Sequence, residues 1–313
     1  MRMVRRDVEP LDVAPGVYGD VPFDTYKRWN AMSKSMTGPA LRSGRHLEAY
    51  INAERASAAM RLGSLVDAMA LEPVTVDGLF AVQPDTYVKD TWKGRAPNKE
   101  LVREEKPWNM NSNTCKAIMA ELEVSGKTVV SRDDWDFAVA CRVALETHPL
   151  ADEAIKGGEK QVSLVWADPD TGVLCKGRPD LIHGDYIYDL KTTMDASPEA
   201  FARTMANFGY HIQAGIYTEA YRALTGRRMD FRFIVVETGQ RADMEPQVAV
   251  YEMLHDDESM VAGRLQFKRA VQRVAHYGDD PAGLPGYSRF AEPISIPRWA
   301  INREFDLHDE VEI

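Results

Sequence analysis

The pattern of apolar and polar positions changes character about halfway along the chain. From residue 41 to about 156, apolar residues recur at helical spacing. Ala58, Leu62, Leu65 and Met69 share one face of a helix predicted over 47–71, which stops at Glu72-Pro73 because the residue before proline disfavours helical backbone. Ser131-x-x-Asp134 resembles a capping box and opens a helix over 132–147, ahead of Pro149. After Gly157-Gly158 the pattern turns α/β. Strands are expected over 161–167, 173–182, 186–192, 231–237 and 247–253. Between the third and fourth, Ser197-Pro198-Glu199 starts a helix that breaks near Gly209 and resumes over 210–224. A last helix is expected over 257–276.

The flanks and one internal stretch lack such periodicity. Residues 1–40 carry scattered Gly and Pro with Ser and Thr, and read as a docking arm with one short helix around 23–33. Residues 81–113 read as loop, from Gln83-Pro84-Asp85, Trp92-Lys93-Gly94-Arg95 and Pro97-Asn98. Six Lys and Arg between Lys89 and Lys106, with Trp92 and Trp108, could contact a nucleic-acid backbone. Asp90, Glu100, Glu104 and Glu105 dilute that charge, and a solvated surface loop is the plainer reading. The tail, 281–313, is rich in Pro and Gly, with Trp299 and Phe305 as its expected anchors. The organisation is thus an arm (1–40), a helical region (41–156), an α/β core (157–280) and a tail (281–313) in one compact domain, with no internal repeat.

Composition adds limits. With 313 residues, 44% hydrophobic and 27% charged, the chain is that of an ordinary globular protein with a sizeable core. No apolar run approaches the length of a membrane span. The basic Met1–Arg6 is followed by Asp7, Glu9 and Pro10, which is not the pattern of a signal peptide. Cys115, Cys141 and Cys175 lack C-x-x-C spacing, which argues against a zinc site or disulfide framework and suits a reducing cytoplasm. A net charge of −10 argues against a dedicated nucleic-acid binder, although a local basic groove can coexist with an acidic exterior.

Candidate chemistry concentrates over 177–193. Gly184-Asp185 between two apolar runs predicts a hairpin turning at 183–185. Asp189 and Lys191 then point to one face, and Tyr188 and Leu190 to the other. Lys176, Arg178 and Asp180 share a face of the preceding strand by the same count. If the strands pair, Asp180, Asp189 and Lys191 converge, and a divalent metal beside a nucleophilic water is the most direct reason for such a group. A salt bridge to Arg178 or Lys191 at a sheet edge is the plainer alternative. The bare pattern is weak, because Pro84-Asp85 with Glu104-Glu105-Lys106 also satisfies it, in polar sequence and with Pro107 after the lysine. Pro169-Asp170-Thr171-Gly172 is simply a turn. Gln213 and Tyr217, four apart on one helical face, follow the Asp-x-Lys strand closely enough to pack over it.

Gly177-Arg178-Pro179-Asp180, Asp189-Leu190-Lys191-Thr192-Thr193 and Gln213-x-x-x-Tyr217 together resemble the RecB-like branch of the PD-(D/E)xK nucleases. The segment from Gly63-Ser64-Leu65-Val66-Asp67 to Glu72-Pro73 resembles the N-terminal helix motif of the RecE-type (exodeoxyribonuclease VIII) group, and Glu159 with Ser163, Trp166 and Asp168 resembles its first strand. The resemblance implies an α/β, restriction-endonuclease-like core with a central mixed sheet flanked by helices, after a mostly helical N-terminal region. It implies Mg²⁺ or Mn²⁺, no ATP, and 5′-to-3′ degradation of double-stranded DNA ends in phage or prophage recombination, beside a RecT-type single-strand annealing protein. A closed homo-oligomer, no membrane partner and a cytoplasmic setting go with it. On this reading Asp180, Asp189, the Leu190 carbonyl and Asp67 hold the metal, with Glu72 and Glu159 as substitutes for Asp67. Many relatives carry histidine at the Asp67 position, and aspartate suits Mg²⁺ better. Lys191 orients or deprotonates the water, Gln213 and Tyr217 position the DNA strand, and Arg178, Thr192 and Thr193 contact DNA. An iron–sulfur variant is disfavoured because no cysteine follows Cys175. A structure-specific or site-specific endonuclease, or a non-catalytic DNA-end binder, are the alternatives.

Overall fold

The strand Tyr186–Thr193 lies at the centre of a five-stranded mixed sheet in the computed structural model, which describes residues 1–54, 57–94, 96–239, 245–278, 283–298 and 301. Across the sheet the order is Val248–Met253, Asp230–Glu237, Tyr186–Thr193, Leu181–His183 and Glu159–Lys160. Tyr186–Thr193 runs parallel to Asp230–Glu237, and the other pairs are antiparallel. Both central strands are apolar on both sides, as a strand must be when each face is covered. Phe231, Phe233 and Val235 join a core with Ile187, Ile212 and Ile216, while Ile234 and Val236 join a second core with Tyr188, Leu190 and Leu65. Helices Pro198–Phe208, Tyr210–Thr225 and Glu258–Ala275 thus cover one face, and Ala58–Leu71, Arg132–Thr147 and Pro149–Gly157 the other.

The hairpin turns where expected, with His183 opposite Tyr186 and Gly184 at φ +58°. Such a left-handed position favours glycine. Ser131 Oγ accepts from Asp134 N at 3.0 Å and opens Arg132–Thr147. Gly209, at φ +65°, ends Pro198–Phe208 and starts Tyr210–Thr225.

Four expectations differ. The strand expected over 173–182 divides at Pro179, which has no N–H for a ladder. Leu174–Gly177 joins a second sheet, ordered Gly16–Tyr18, Ser163–Ala167, Leu174–Gly177 and Met32–Ser33, while Leu181–His183 joins the central one. The helix expected over 47–71 is two, Gly44–Asn52 and Ala58–Leu71, the second capped by Ser57 Oγ accepting from Met60 N at 3.1 Å. The loop expected over 81–113 contains the antiparallel pair Thr86–Lys93 and Glu100–Pro107. Charges that read as loop chemistry pair across it, Lys93 with Glu104 and Arg103 with Asp90. The arm expected over 1–40 has its short helix at Phe23–Arg28, and it packs on the core through Met3, Met32 and Met36, with Met32–Ser33 parallel to Leu174–Gly177. The anchors Trp299 and Phe305 lie outside the described residues.

Candidate active site

The break at Pro179 is what builds the site. It releases Asp180 from the second sheet just before Leu181 pairs with Tyr188, so Asp180 faces the start of Asp189-Leu190. Leu190 N donates to Asp180 Oδ2 at 2.8 Å, and Gln161 Nε2 reaches Oδ1 at 3.3 Å. Asp189 is 2% exposed; its carboxylate accepts from Gln213 Nε2 and is ion-paired with Lys191. Helix Tyr210–Thr225 supplies Gln213 from one layer, and helix Ala58–Leu71 supplies Asp67 from the other. The second helix approaches the strand closely at Gly63, where an added Cβ would stand 3.3 Å from Thr192 Oγ1.

Asp67, Asp180, Asp189 and Lys191 form one electrostatic unit. Burial, then Asp189 and Asp67, push the Asp180 carboxyl well above the ordinary carboxylate range. Asp67 is pushed up to about 7, chiefly by burial, with Lys191 pulling it down and Asp189 adding to the rise. Burial alone would lower Lys191, but Asp189 and Asp180 outweigh it and hold the ammonium above its ordinary value. Lys191 is therefore the cation the carboxylates share. Its Nζ also lies 3.5 Å from the Leu190 carbonyl and 5.0 Å from the centre of the Tyr210 ring. Carboxylate and carbonyl oxygens without sulfur or imidazole fit a hard divalent cation such as Mg²⁺. As they stand, no three His, Cys, Asp or Glu side chains among the described residues converge closely enough to hold an ion, and Lys191 stands among them instead.

The remaining expected residues have other partners. Tyr217, 7% exposed, fills the space beside Gly177 where a Cβ would stand, and its hydroxyl is held by the Arg178 backbone. Arg178, expected to touch DNA, donates from Nε to Gln161 Oε1 at 2.9 Å and from Nη1 to the Val21 carbonyl at 2.8 Å. Those bonds turn its guanidinium toward the protein. Thr192 faces Gly63, and Thr193 Oγ1 donates to the Asp195 carbonyl at 3.3 Å. Glu72 ends the Asp67 helix and acts on Arg178, outside the group of carboxylates. Glu159 is exposed on the edge strand, opposite Ile182, so it too stands outside.

One wall of the site was not expected. A cavity of about 500 Å³ lies over Lys191, Gln213 and Tyr217 and is closed on its other side by Tyr26, Lys27 and Ser33–Met36. That segment is pinned by Lys176, whose buried ammonium donates to the carbonyls of Tyr26 (2.9 Å), Lys27 (3.2 Å) and Trp29 (2.8 Å). Burial pushes Lys176 down to about 8. Lys34, also pushed down to about 8 by burial and then by Lys191, lies 5.2 Å from the Tyr210 ring. Of these residues only Tyr210 carried a local signal, standing one turn before Gln213.

A search of the curated proteins finds no match. Among solved structures, a candidate exonuclease from Eubacterium rectale shares 15% identity over 85% of this chain and 91% of its own, with a TM-score of 0.49. The protein SSO0001 shares 10% identity over 50% of this chain and 66% of its own, with a TM-score of 0.28. The family described as a PDDEXK-like domain of unknown function (DUF3799) matches residues 31–281, from the wall strand Met32–Ser33 to beyond the last helix. The chain belongs to that family, and so to the PD-(D/E)xK nuclease superfamily.

Proposed function

We propose that this protein is a metal-dependent exonuclease that degrades linear double-stranded DNA in the 5′-to-3′ direction and leaves 3′ single-stranded tails. The observation that carries the nuclease reading is the convergence of Asp180, Asp189 and Lys191 across a hairpin, with Asp67 brought to them by a helix from the opposite layer. Exonucleolytic action, its polarity, and a setting in phage or prophage recombination with a RecT-type partner rest on the resemblance of the 63–73 segment to RecE-type enzymes. A homo-oligomer and a cytoplasmic setting are part of the same proposal; no described helix is long and apolar enough to cross a membrane.

Asp67, Asp180, Asp189 and the Leu190 carbonyl would hold Mg²⁺ or Mn²⁺. Such an ion would supply a bound water of lowered pKa and would offset charge on the scissile phosphate. Gln213 fixes the orientation of Asp189. Lys191, kept protonated by Asp189 and Asp180, donates to the attacking water or to a phosphate oxygen instead of taking a proton. Tyr217 and Gly177 hold the turn into Asp180.

The test is digestion of linear duplex DNA with Mg²⁺, against EDTA and Asp189→Ala. Loss of an outer-shell partner of a metal ligand costs about 10–100-fold, so loss of Asp189 should cost at least about 100-fold. Equal digestion by mutant and wild type would reject the site. One observation favours a second reading, a DNA-end binder without catalysis: no three carboxylates among the described residues converge closely enough to hold an ion, and Asp189 is ion-paired with Lys191. End binding that needs no metal and yields no product would support it.

A further inference from the structure

Four lysines line the cavity over the catalytic group: Lys27, Lys34, Lys176 and Lys191. Three are already committed. Lys191 pairs with Asp189, Lys27 with Asp24 at 2.7 Å, and Lys176 spends its ammonium on three backbone carbonyls. Lys34 differs. Its one hydrogen bond among the described residues goes to the Phe208 carbonyl at 2.7 Å, and no carboxylate pairs with it. An ammonium has three N–H donors, so two remain for a ligand in the cavity. Ser33 and Ser35, whose hydroxyls lie 3.0 Å apart, flank it on the same wall. The Tyr210 ring stands 5.2 Å from Lys34 Nζ and 5.0 Å from Lys191 Nζ, which sets two cations on one ring beside the reacting group.

We infer that Lys34, with Ser33 and Ser35, binds a phosphate of the substrate strand other than the one that is cleaved. This rests on the nuclease reading and deepens it. A lysine with no ion pair among the described residues, in a cleft of a chain whose net charge is −10, is the local feature that lets an acidic protein take an anionic substrate. The phosphate is either an internal diester or the monoester at a 5′ end; both offer the same oxygens, and only the end group separates them. Lys34 is thus a binding residue that positions the strand; Lys176 holds the neighbouring Tyr26–Trp29 carbonyls, and Met32–Ser33 pairs with Cys175 and Lys176.

The test is equilibrium binding of short duplexes bearing 5′-phosphate or 5′-hydroxyl ends to the full chain, with Ca²⁺ replacing Mg²⁺, over a range of salt. Lys34→Gln should weaken binding about tenfold, the usual scale for a charge-assisted contact, and lower the salt slope by about 0.9. Lys34→Arg should restore the slope. A loss for both duplexes assigns an internal phosphate, and a loss confined to the 5′-phosphorylated duplex assigns the terminal one. A purely structural role, through Phe208, would lower thermal stability and leave the slope unchanged. Lys34→Gln that matches wild type in affinity and slope overturns the assignment alone. A wild type that binds no DNA overturns it together with the nuclease reading.

Discussion

Asp67 is the residue at which the cost of the site can be measured. Its carboxyl is pushed up from the ordinary 3.8 to about 7, so the folded protein binds that proton more tightly than the unfolded chain does. By linkage, this favours folding below pH 3.8 and up toward neutrality, and the advantage is lost as pH rises through about 7. In EDTA, melting should therefore occur at lower temperature at pH 8 than at pH 6. Mg²⁺ needs the deprotonated carboxylate, so its affinity should fall about tenfold per pH unit below 7 for each proton displaced. Calorimetric titration of Mg²⁺ at pH 6 and pH 8 checks this, and an affinity flat with pH would count against Asp67 as a ligand. Asp67→Asn separates stability from function. It removes a buried charge and should raise melting at pH 8 in EDTA, while the Mg²⁺-dependent rise in melting temperature shrinks or disappears. An unchanged Mg²⁺ response would exclude Asp67 from the cage.

At the scale of elements, the strands that carry the candidate site depend on two close approaches. Tyr217 occupies the space a Cβ on Gly177 would need, so Gly177→Ala must displace that ring or bend the strand leading to Asp180. Overpacking of this kind costs about 1–3 kcal/mol, measurable by urea unfolding, and activity should fall further than stability because Asp180 shifts with the strand. Lys176→Met keeps the bulk but removes a donor that three carbonyls share, although Tyr26 O still accepts from Trp29 N and Trp29 O from Ala31 N; the expected loss is about 1–3 kcal/mol. The hairpin, the Ser131 cap and the break at Gly209 were legible because each is set by residues within a few positions of one another. The Asp180–Asp189–Lys191 group was legible for the same reason, since one tight turn brings it together. The wall was not. Lys176 reaches Trp29 across 147 residues, and nothing near Ser33-Lys34-Ser35 marks that approach. The Thr86–Lys93 and Glu100–Pro107 pair was missed because cross-strand charges hold it, and alternating charges without apolar alternation look like loop.

At the scale of the whole molecule, an acidic net charge stands beside four lysines that line one cavity. A net charge of −10 disfavours an anionic ligand on average, and the lysines lining the cavity are where the proposed strand contact would offset it. Lys191, Gln213 and Tyr217 form one side of the cavity and Ser33–Met36 the other, with about 500 Å³ between them. On the proposed exonuclease reading, the strand enters this cavity from a free end. Closed circular duplex should therefore survive under Mg²⁺ conditions that digest the same DNA once it is linearised. A single nick tests whether entry needs a double-strand end or only a free 5′ terminus. Digestion of the closed circle would instead identify an endonuclease. If linear DNA is consumed, loss of a 5′ label ahead of a 3′ label, with a 3′ single-stranded tail among the products, is the outcome expected for 5′-to-3′ action. The reverse order would leave the metal and lysine chemistry intact and overturn the polarity alone.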